Sequence, residues 1–289
     1  MNLSPRNADM RQIVKLINQY GALNVTAIST KKGIVVIDTA WPPAATREIR
    51  ETIEKELDSD NFAFLINTHG HTDHASGNQV FEDAIIIGHD NIFEAMKSTE
   101  KRKTQLNLGD DYVMTLPDIT FNDRLLLDMG DVSLELIYCG MAHSGADIMI
   151  HIPQEKLLMV GDMFDYNYLP YIPAEGGYDV ARWITVLEYF LKEEHGVKTV
   201  ISGHREIFDR KLLTAYLDYL KELWGGVDNA IKEGLALDET KQRLLKTISR
   251  EAFGHLKSTD EDYERNIEGV WKKIMSVRHQ REINYLAAF

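Results

Sequence analysis

The chain has 289 residues, enough for one large α/β domain or two small ones and for a sizeable buried core. Acidic residues outnumber basic ones by 45 to 32, a net charge of −13, which makes the chain a poor partner for phosphate backbones and argues against nucleic acid as a ligand. No apolar run reaches the roughly 18 residues of a membrane span, residues 1–10 lack the apolar core of a signal peptide, and the single Cys139 excludes an internal disulfide, so the expectation is a cytoplasmic protein with no membrane partner.

Taken in order, residues 11–20 carry apolar side chains at helical spacing and predict a helix ending at Gly21. Residues 23–29 and 34–37 predict two strands, joined by the turn Lys31-Lys32-Gly33. Pro42-Pro43 opens a helix over 44–57. The apolar run 62–67 predicts a buried strand, followed by a helix over 75–81, a short strand over 84–88 and a helix to about residue 101. Residues 104–117 lack periodicity and predict a surface loop that could wall a substrate pocket. Short β segments follow at 119–121, 125–127, 132–138, 148–152 and 157–160. Gly176-Gly177 marks a turn before a helix over 178–194, and 197–201 is the last strand expected. Residues 207–289 read as helical throughout, with stripes over 212–223, 227–232, 235–246 and 264–275 and a break at Trp224-Gly225-Gly226. This tail is read as a cap walling the cleft, as the contact of a homodimer, or as plain covering of the core.

The stretch Asn67-Thr68-His69-Gly70-His71-Thr72-Asp73-His74 holds three histidines and an aspartate just past a strand end. In near-extended backbone, residues two apart point the same way, so His69 and His71 can grip one metal ion while Asp73 and His74, past the bend, face a second. Imidazole nitrogen and carboxylate oxygen are ligands that zinc takes. A solvated polar loop is the weaker alternative. Asp38 is either a carboxylate that orients a ligand histidine or a turn residue bonding its own backbone. His89 reads as a loop or capping residue and Cys139 as a small buried hydrophobe.

The run His69-Gly70-His71-Thr72-Asp73-His74 is similar to the HxHxDH signature of the metallo-β-lactamase superfamily, a large group of metal-dependent hydrolases. Later elements of that family's pattern follow in order: the histidine loop Gly140-Met141-Ala142-His143-Ser144-Gly145, then Gly161-Asp162, then Ser202-Gly203-His204. The resemblance covers roughly residues 20–205. It implies an α/β (α+β) four-layer αββα sandwich, with a catalytic domain over 1–206 and a helical extension packed on it over 207–289. It further implies two zinc ions, with Mn2+ or Fe2+ as alternatives. His69, His71 and His143 would hold the first, Asp73, His74 and His204 the second, with Asp162 bridging and Asp38 in support. Asp73 would also act in catalysis, holding the attacking hydroxide in line and relaying its proton. Tyr166, then Tyr168, is the candidate donor to a developing oxyanion, with aromatic packing of the loop an equal alternative. The implied reaction is hydrolysis of a small ester, lactone, thioester or amide by a hydroxide shared between the ions. Asp162 stands where true β-lactamases of the family usually carry Cys or Ser, which weighs against a dedicated antibiotic-degrading role. β-Lactam cleavage is kept as the alternative, with phosphodiester or nucleic-acid cleavage behind it.

Overall fold

The computed structural model describes residues 13–18, 23–175, 178–253 and 256–286. The expectations on residues 1–10, on Gly21 and on the Gly176-Gly177 turn lie outside them.

In chain order the elements are β1 (Ile13–Asn18), β2 (Leu23–Thr30), β3 (Gly33–Ile37), α1 (Pro43–Leu57), β4 (Phe62–Ile66), α2 (Thr72–Ala75), β5 (Ile85–His89), α3 (Ile92–Lys101), β6 (Ile119–Phe121), β7 (Arg124–Asp128), β8 (Ser133–Tyr138), β9 (Ile148–Ile152), β10 (Leu157–Met159), α4 (Val180–Phe190), β11 (Thr199–Ile201), β12 (Phe208–Asp209), α5 (Arg210–Lys232), α6 (Leu237–Thr247) and α7 (Asp260–Leu286). They build two six-stranded sheets, ordered β1-β2-β3-β4-β5-β6 and β12-β11-β10-β9-β8-β7.

The period-2 alternation of strand side chains separates three apolar layers. Val35 and Ile37 of β3 face the other sheet, where they meet Leu136 of β8, Ile150 of β9 and Met159 of β10. Ile34 and Val36 face outward onto Ile49 and Ile53 of α1. In the second sheet, Met149 and Leu158 face away from the first and pack under Trp183 and Leu187 of α4, Tyr216 and Leu220 of α5, Leu244 of α6 and Ile267 of α7. Each such buried aliphatic side chain contributes about 1.5–3 kcal/mol relative to exposure. The result is helix, sheet, sheet, helix: the αββα sandwich, with the C-terminal helices in the last layer.

Strands β3, β4, β5 and β6 are mutually parallel, as are β10 and β11. Their carboxyl-terminal loops meet at one edge of the sandwich. There the Gly203 amide donates to Gly161 O at 2.7 Å, the Ile148 amide to Thr68 O at 3.0 Å, and the Asn24 side chain to Ser202 O at 2.8 Å.

Five expectations are corrected. The last strand is not 197–201, and the tail is not helical from residue 207, because Phe208–Asp209 is β12, paired antiparallel with β11, Val200 opposite Phe208. Ile13–Asn18 is a strand, not part of a helix, because it pairs along its whole length with β2, Ile13 opposite Ile28 and Asn18 opposite Leu23. The segment after the histidine motif is not one helix over 75–81. It splits into α2 and a 3-10 turn, Asn78–Phe81, because the Gly77 amide is taken by Thr39 Oγ1 at 3.1 Å and a Cβ there would lie 2.0 Å from Thr46 Oγ1. The helix expected over 178–194 is α4 alone, followed by a separate 3-10 turn, Glu193–His195. Helix α5 runs through Trp224-Gly225-Gly226 without a break. Its stripe of buried residues continues from Leu220 and Leu223 to Val227 and Ala230, and Gly226 is where Leu244 of α6 comes against the helix, 2.4 Å from where a Cβ would be.

A candidate metal centre at the edge of the two sheets

The seven side chains singled out by the sequence converge. His69 and His71 lie between β4 and α2, Asp73 and His74 within α2, His143 in the β8–β9 loop, Asp162 in the 3-10 turn Gly161–Met163 and His204 after β11. Donor atoms of His69, His71, His143 and Asp162 lie within 4.8 Å of one another, as do those of Asp73, His74 and His204. Asp162 Oδ2 is common to both groups, at 3.7 Å from His69 Nε2 and His143 Nε2, 3.3 Å from His74 Nε2 and 3.2 Å from His204 Nε2. His71 Nδ1 is 3.0 Å from His143 Nε2, and His204 Nε2 is 3.2 Å from Asp73 Oδ2. Ligand atoms around a tetrahedral zinc with bonds of about 2.1 Å are about 3.4 Å apart. The separations match that spacing. Two buried atoms at the centre, His69 Nε2 and Asp162 Oδ1, have no hydrogen-bond partner. A cation fits such a donor set; a closed hydrogen-bond network would leave neither atom bare.

The atoms behind the cluster fix which nitrogen faces it. A carboxylate only accepts, so His74 Nδ1, 3.0 Å from Asp38 Oδ2, carries a proton, and Nε2 is the nitrogen turned toward the cluster. Thr68 donates its one hydroxyl proton to Asp38 Oδ2 at 2.7 Å, so toward His69 Nδ1 at 3.1 Å it can only accept, and His69 Nε2 is bare in turn. Asp38 also accepts the Thr68 amide at 2.7 Å. It is fully buried in left-handed backbone, φ 61°. The contacts of Asp38 are thus those of a histidine-orienting carboxylate. Asp147, which the sequence reading passed over, does similar work for the His143 loop. It accepts the amides of Ser144 and Gly145 at 2.8 and 3.0 Å and the Ser144 hydroxyl at 3.0 Å. Its sequence signal was only that of an aspartate following a serine-glycine turn.

The electrostatics divide the cluster. Burial, then neighbouring imidazoles, hold His69 well below the ordinary histidine range and lower His71 and His143 as well. Burial also opposes charge on His74, but Asp162 and Asp38 outweigh it and hold this imidazole well above its ordinary value. At His204 burial is likewise outweighed, by hydrogen bonds to Asp162 and Asp73, and the pKa stands at about 10. Against the desolvation they suffer, Asp73 is brought down to about 2 by His204 and His74, and Asp162 well below its ordinary value by His74 and His69. The half built on two carboxylates demands positive charge; the three-imidazole half stays neutral and nucleophilic.

A cavity of about 240 Å³ opens beside the cluster, lined by His143, Asp162 and His204 and walled by Phe164, Tyr168 and Tyr171. Tyr166 does not line it. The structure places Tyr166 on a larger cavity of about 640 Å³ with Lys198 and Phe208, which contains none of the seven residues. The smaller cavity is the one the cluster lines. Behind its wall, Arg205 and Lys257 approach the Tyr168 ring at 4.8 and 5.3 Å, and Arg265 approaches Tyr171 at 4.4 Å. Two other readings fit the geometry. His89 stacks on Tyr138 and is hydrogen-bonded to Asn122 O at 2.7 Å, away from the cluster, and Cys139 is buried in the helical-side core. Among the described residues, no helix is long and apolar enough to cross a membrane.

A family model described as the metallo-beta-lactamase superfamily matches residues 20–204, which contain all seven residues. The metallo-beta-lactamase type 2 of Bacillus cereus is 28% identical over 198 residues, covering 68% of this chain and 73% of that one. Among solved structures, a metallo-beta-lactamase from Pontibacter korlensis superposes with a TM-score of 0.58 at 20% identity, covering 75% of this chain and 97% of its own. The stereoselective inverting sec-alkylsulfatase Pisa1 from Pseudomonas sp. superposes with a TM-score of 0.69 at 16% identity over 91% of this chain. This chain spans about half of that sulfatase's length, 48%. With a matching family model across most of the chain, the expected sandwich in place and the signature side chains gathered at its edge, the chain belongs to the metallo-β-lactamase superfamily of metal-dependent hydrolases.

Proposed function

We propose that the protein hydrolyses a small ester, lactone, thioester or amide using two divalent ions, zinc in first place. His69, His71 and His143 would hold one and Asp73, His74 and His204 the other, with Asp162 within reach of both. The observation that carries this reading is Asp162 Oδ2 within 3.2–3.7 Å of four imidazole nitrogens, beside a donor atom left bare. When bound, the ions would supply an activated water and polarise the oxygen of the scissile group. The rest belongs to this chain. Asp73, ionised and 40% exposed, holds the attacking water in line and accepts its proton. Asp38 and Thr68 keep His74 and His69 in the binding tautomer. Tyr168 and Tyr171 line the cavity and would position the substrate, and Tyr168, which shares this cavity where Tyr166 does not, is the candidate donor to a developing oxyanion. At about 240 Å³ the cavity is below the roughly 300–1,000 Å³ of drug-sized ligand sites, which suits a small substrate.

A second reading is a sulfate ester. The 91% coverage by the alkylsulfatase fold leaves about 26 residues of this chain unmatched, whereas 85 follow residue 204, so most of the C-terminal helical region has a counterpart in that protein. β-Lactam cleavage is a third activity to assay, given the Bacillus cereus relative.

The test is elemental analysis of zinc-loaded protein combined with a substrate panel: a carboxylic ester, a lactone, a thioester, a chromogenic cephalosporin and a secondary alkyl sulfate. Hydrolysis within the first three, abolished by Asp73→Asn with metal content measured alongside, is the expected result. Turnover of the sulfate alone selects the second reading. Folded protein that takes up no metal at these residues overturns both.

A further inference from the structure

A second group of donors lies on the other face of the second sheet. Glu135 of β8 and His151 of β9 are directly opposite one another in the ladder. His195 comes from the 3-10 turn Glu193–His195 that follows α4. One donor atom from each lies within 4.8 Å of the others. The two ring nitrogens involved, His151 Nδ1 and His195 Nε2, are buried and have no hydrogen-bond partner. His151 is itself fully buried, with Phe190 edge-on at 5.4 Å.

The tautomer of His151 is fixed by its other nitrogen. Nε2 lies 3.1 Å from His195 O, a carbonyl that only accepts, so the proton is on Nε2 and Nδ1 shows a bare lone pair. That lone pair points at Glu135 Oε2, 3.6 Å away, too far for a hydrogen bond and itself an electron-pair donor. Glu135 Oε1 is already engaged by the Tyr189 hydroxyl at 2.8 Å and by Arg124, which leaves Oε2 for the interior. Arg124 is half exposed, so its charge is screened by water. Glu194 Oε1 stands 3.8 Å from His195 Nε2. Two imidazoles and a carboxylate thus converge, with His151 Nδ1 and His195 Nε2 both buried and neither hydrogen-bonded. The 3.6 Å separation is close to the roughly 3.4 Å between ligands on a tetrahedral zinc.

We propose that Glu135 Oε2, His151 Nδ1 and His195 Nε2 form a further zinc site, structural in role, that fastens the 193–196 turn to the middle of the second sheet. The site is separate from the catalytic cluster. The Ile148 end of β9 is bonded to Thr68 beside that cluster, and His151 is three residues further along, roughly 10 Å away, on the opposite face of the sheet. The rings of Tyr189 and Phe190 lie beside His195, and Glu194, 3.8 Å from His195 Nε2, or water would complete the ligand set.

Crystals of the zinc-loaded protein, measured above and below the zinc absorption edge, test the site directly. The expected result is an anomalous peak about 2.0–2.2 Å from all three atoms. A map without that peak overturns the proposal, whatever the other cluster holds. In solution, Glu135→Gln and His195→Gln, each with native circular dichroism, are expected to retain one zinc equivalent fewer than wild type after gel filtration. His71→Ala is expected to lose metal from the other centre and keep this ion, so the two assignments fail separately. Wild-type zinc content in both folded variants of the trio also overturns it.

Discussion

At the scale of single residues, the strongest signals in the sequence are donor types placed just past strand ends. His69, His71, Asp73 and His74 announce themselves within six residues, and His143, Asp162 and His204 complete the set once a family pattern is laid over the chain. What surrounds them is less legible, because hydrogen-bond partners are decided by distances that a sequence does not carry. Asp38 has two readings until its 3.0 Å approach to His74 Nδ1 is seen. Thr68 looks like any threonine at a strand end. Tyr166 and Tyr168 part at Asn167, whose left-handed φ of 61° turns the chain between them, and they line different cavities. Outer partners of ligand histidines typically contribute 10–100-fold to metal affinity. Asp38→Asn is therefore expected to weaken zinc binding by about that factor, read by chelator competition, while circular dichroism stays native. Unchanged affinity would make Asp38 a turn residue only.

At the scale of elements, most strands and helices follow from periodicity and turn chemistry, and the failures have physical causes. The segment 13–18 carries apolar residues that satisfy helical and strand spacing alike, and its partner β2 decides. Glycines mislead. Gly225-Gly226 looks like a break but sits inside the continuous α5, where Leu244 needs the space. Gly203, read only as part of the Ser202-Gly203-His204 pattern, lies against the Asp162 carboxylate. A Cβ on it would be 2.0 Å from Asp162 Oδ1 and 2.9 Å from the His74 ring. Since Gly203 is also bonded through its amide to Gly161 O, the loop has little room to retreat. Gly203→Ala is expected to displace Asp162, costing about 1–3 kcal/mol of stability for the overpacking and about 100-fold in turnover for the misplaced ligand. Thermal melts and kinetics measure the two; a larger loss of stability than of activity would mean that the loop, not the carboxylate, had moved.

At the scale of the molecule, the histidine–aspartate cluster joins loops of the two sheets at their shared edge, so metal binding there would be linked to stability. Within the metal-free protein the linkage can be given a sign. Asp73, at about 2, contributes stability that is present above the ordinary carboxylate range and is lost as pH falls through about 2. His204, at about 10, contributes stability that is complete below pH 6.5 and is lost as pH rises toward 10. The metal-free form is therefore expected to hold best between about pH 4 and 6.5 and to weaken on the alkaline side. Metal binding runs the other way. The ligand nitrogen of His204 must surrender its proton, so affinity rises with pH and zinc uptake at pH 7–8 releases protons. Because an ion bound only by the folded chain stabilises it by mass action, the gap in Tm between zinc-loaded and chelated protein is expected to widen steadily from pH 6 to pH 9. Calorimetric titration in buffers of different ionisation enthalpy is expected to show net proton release. A gap that narrows over that range, or zinc uptake without proton release, would place the bound ion away from the carboxylate-rich half of the cluster.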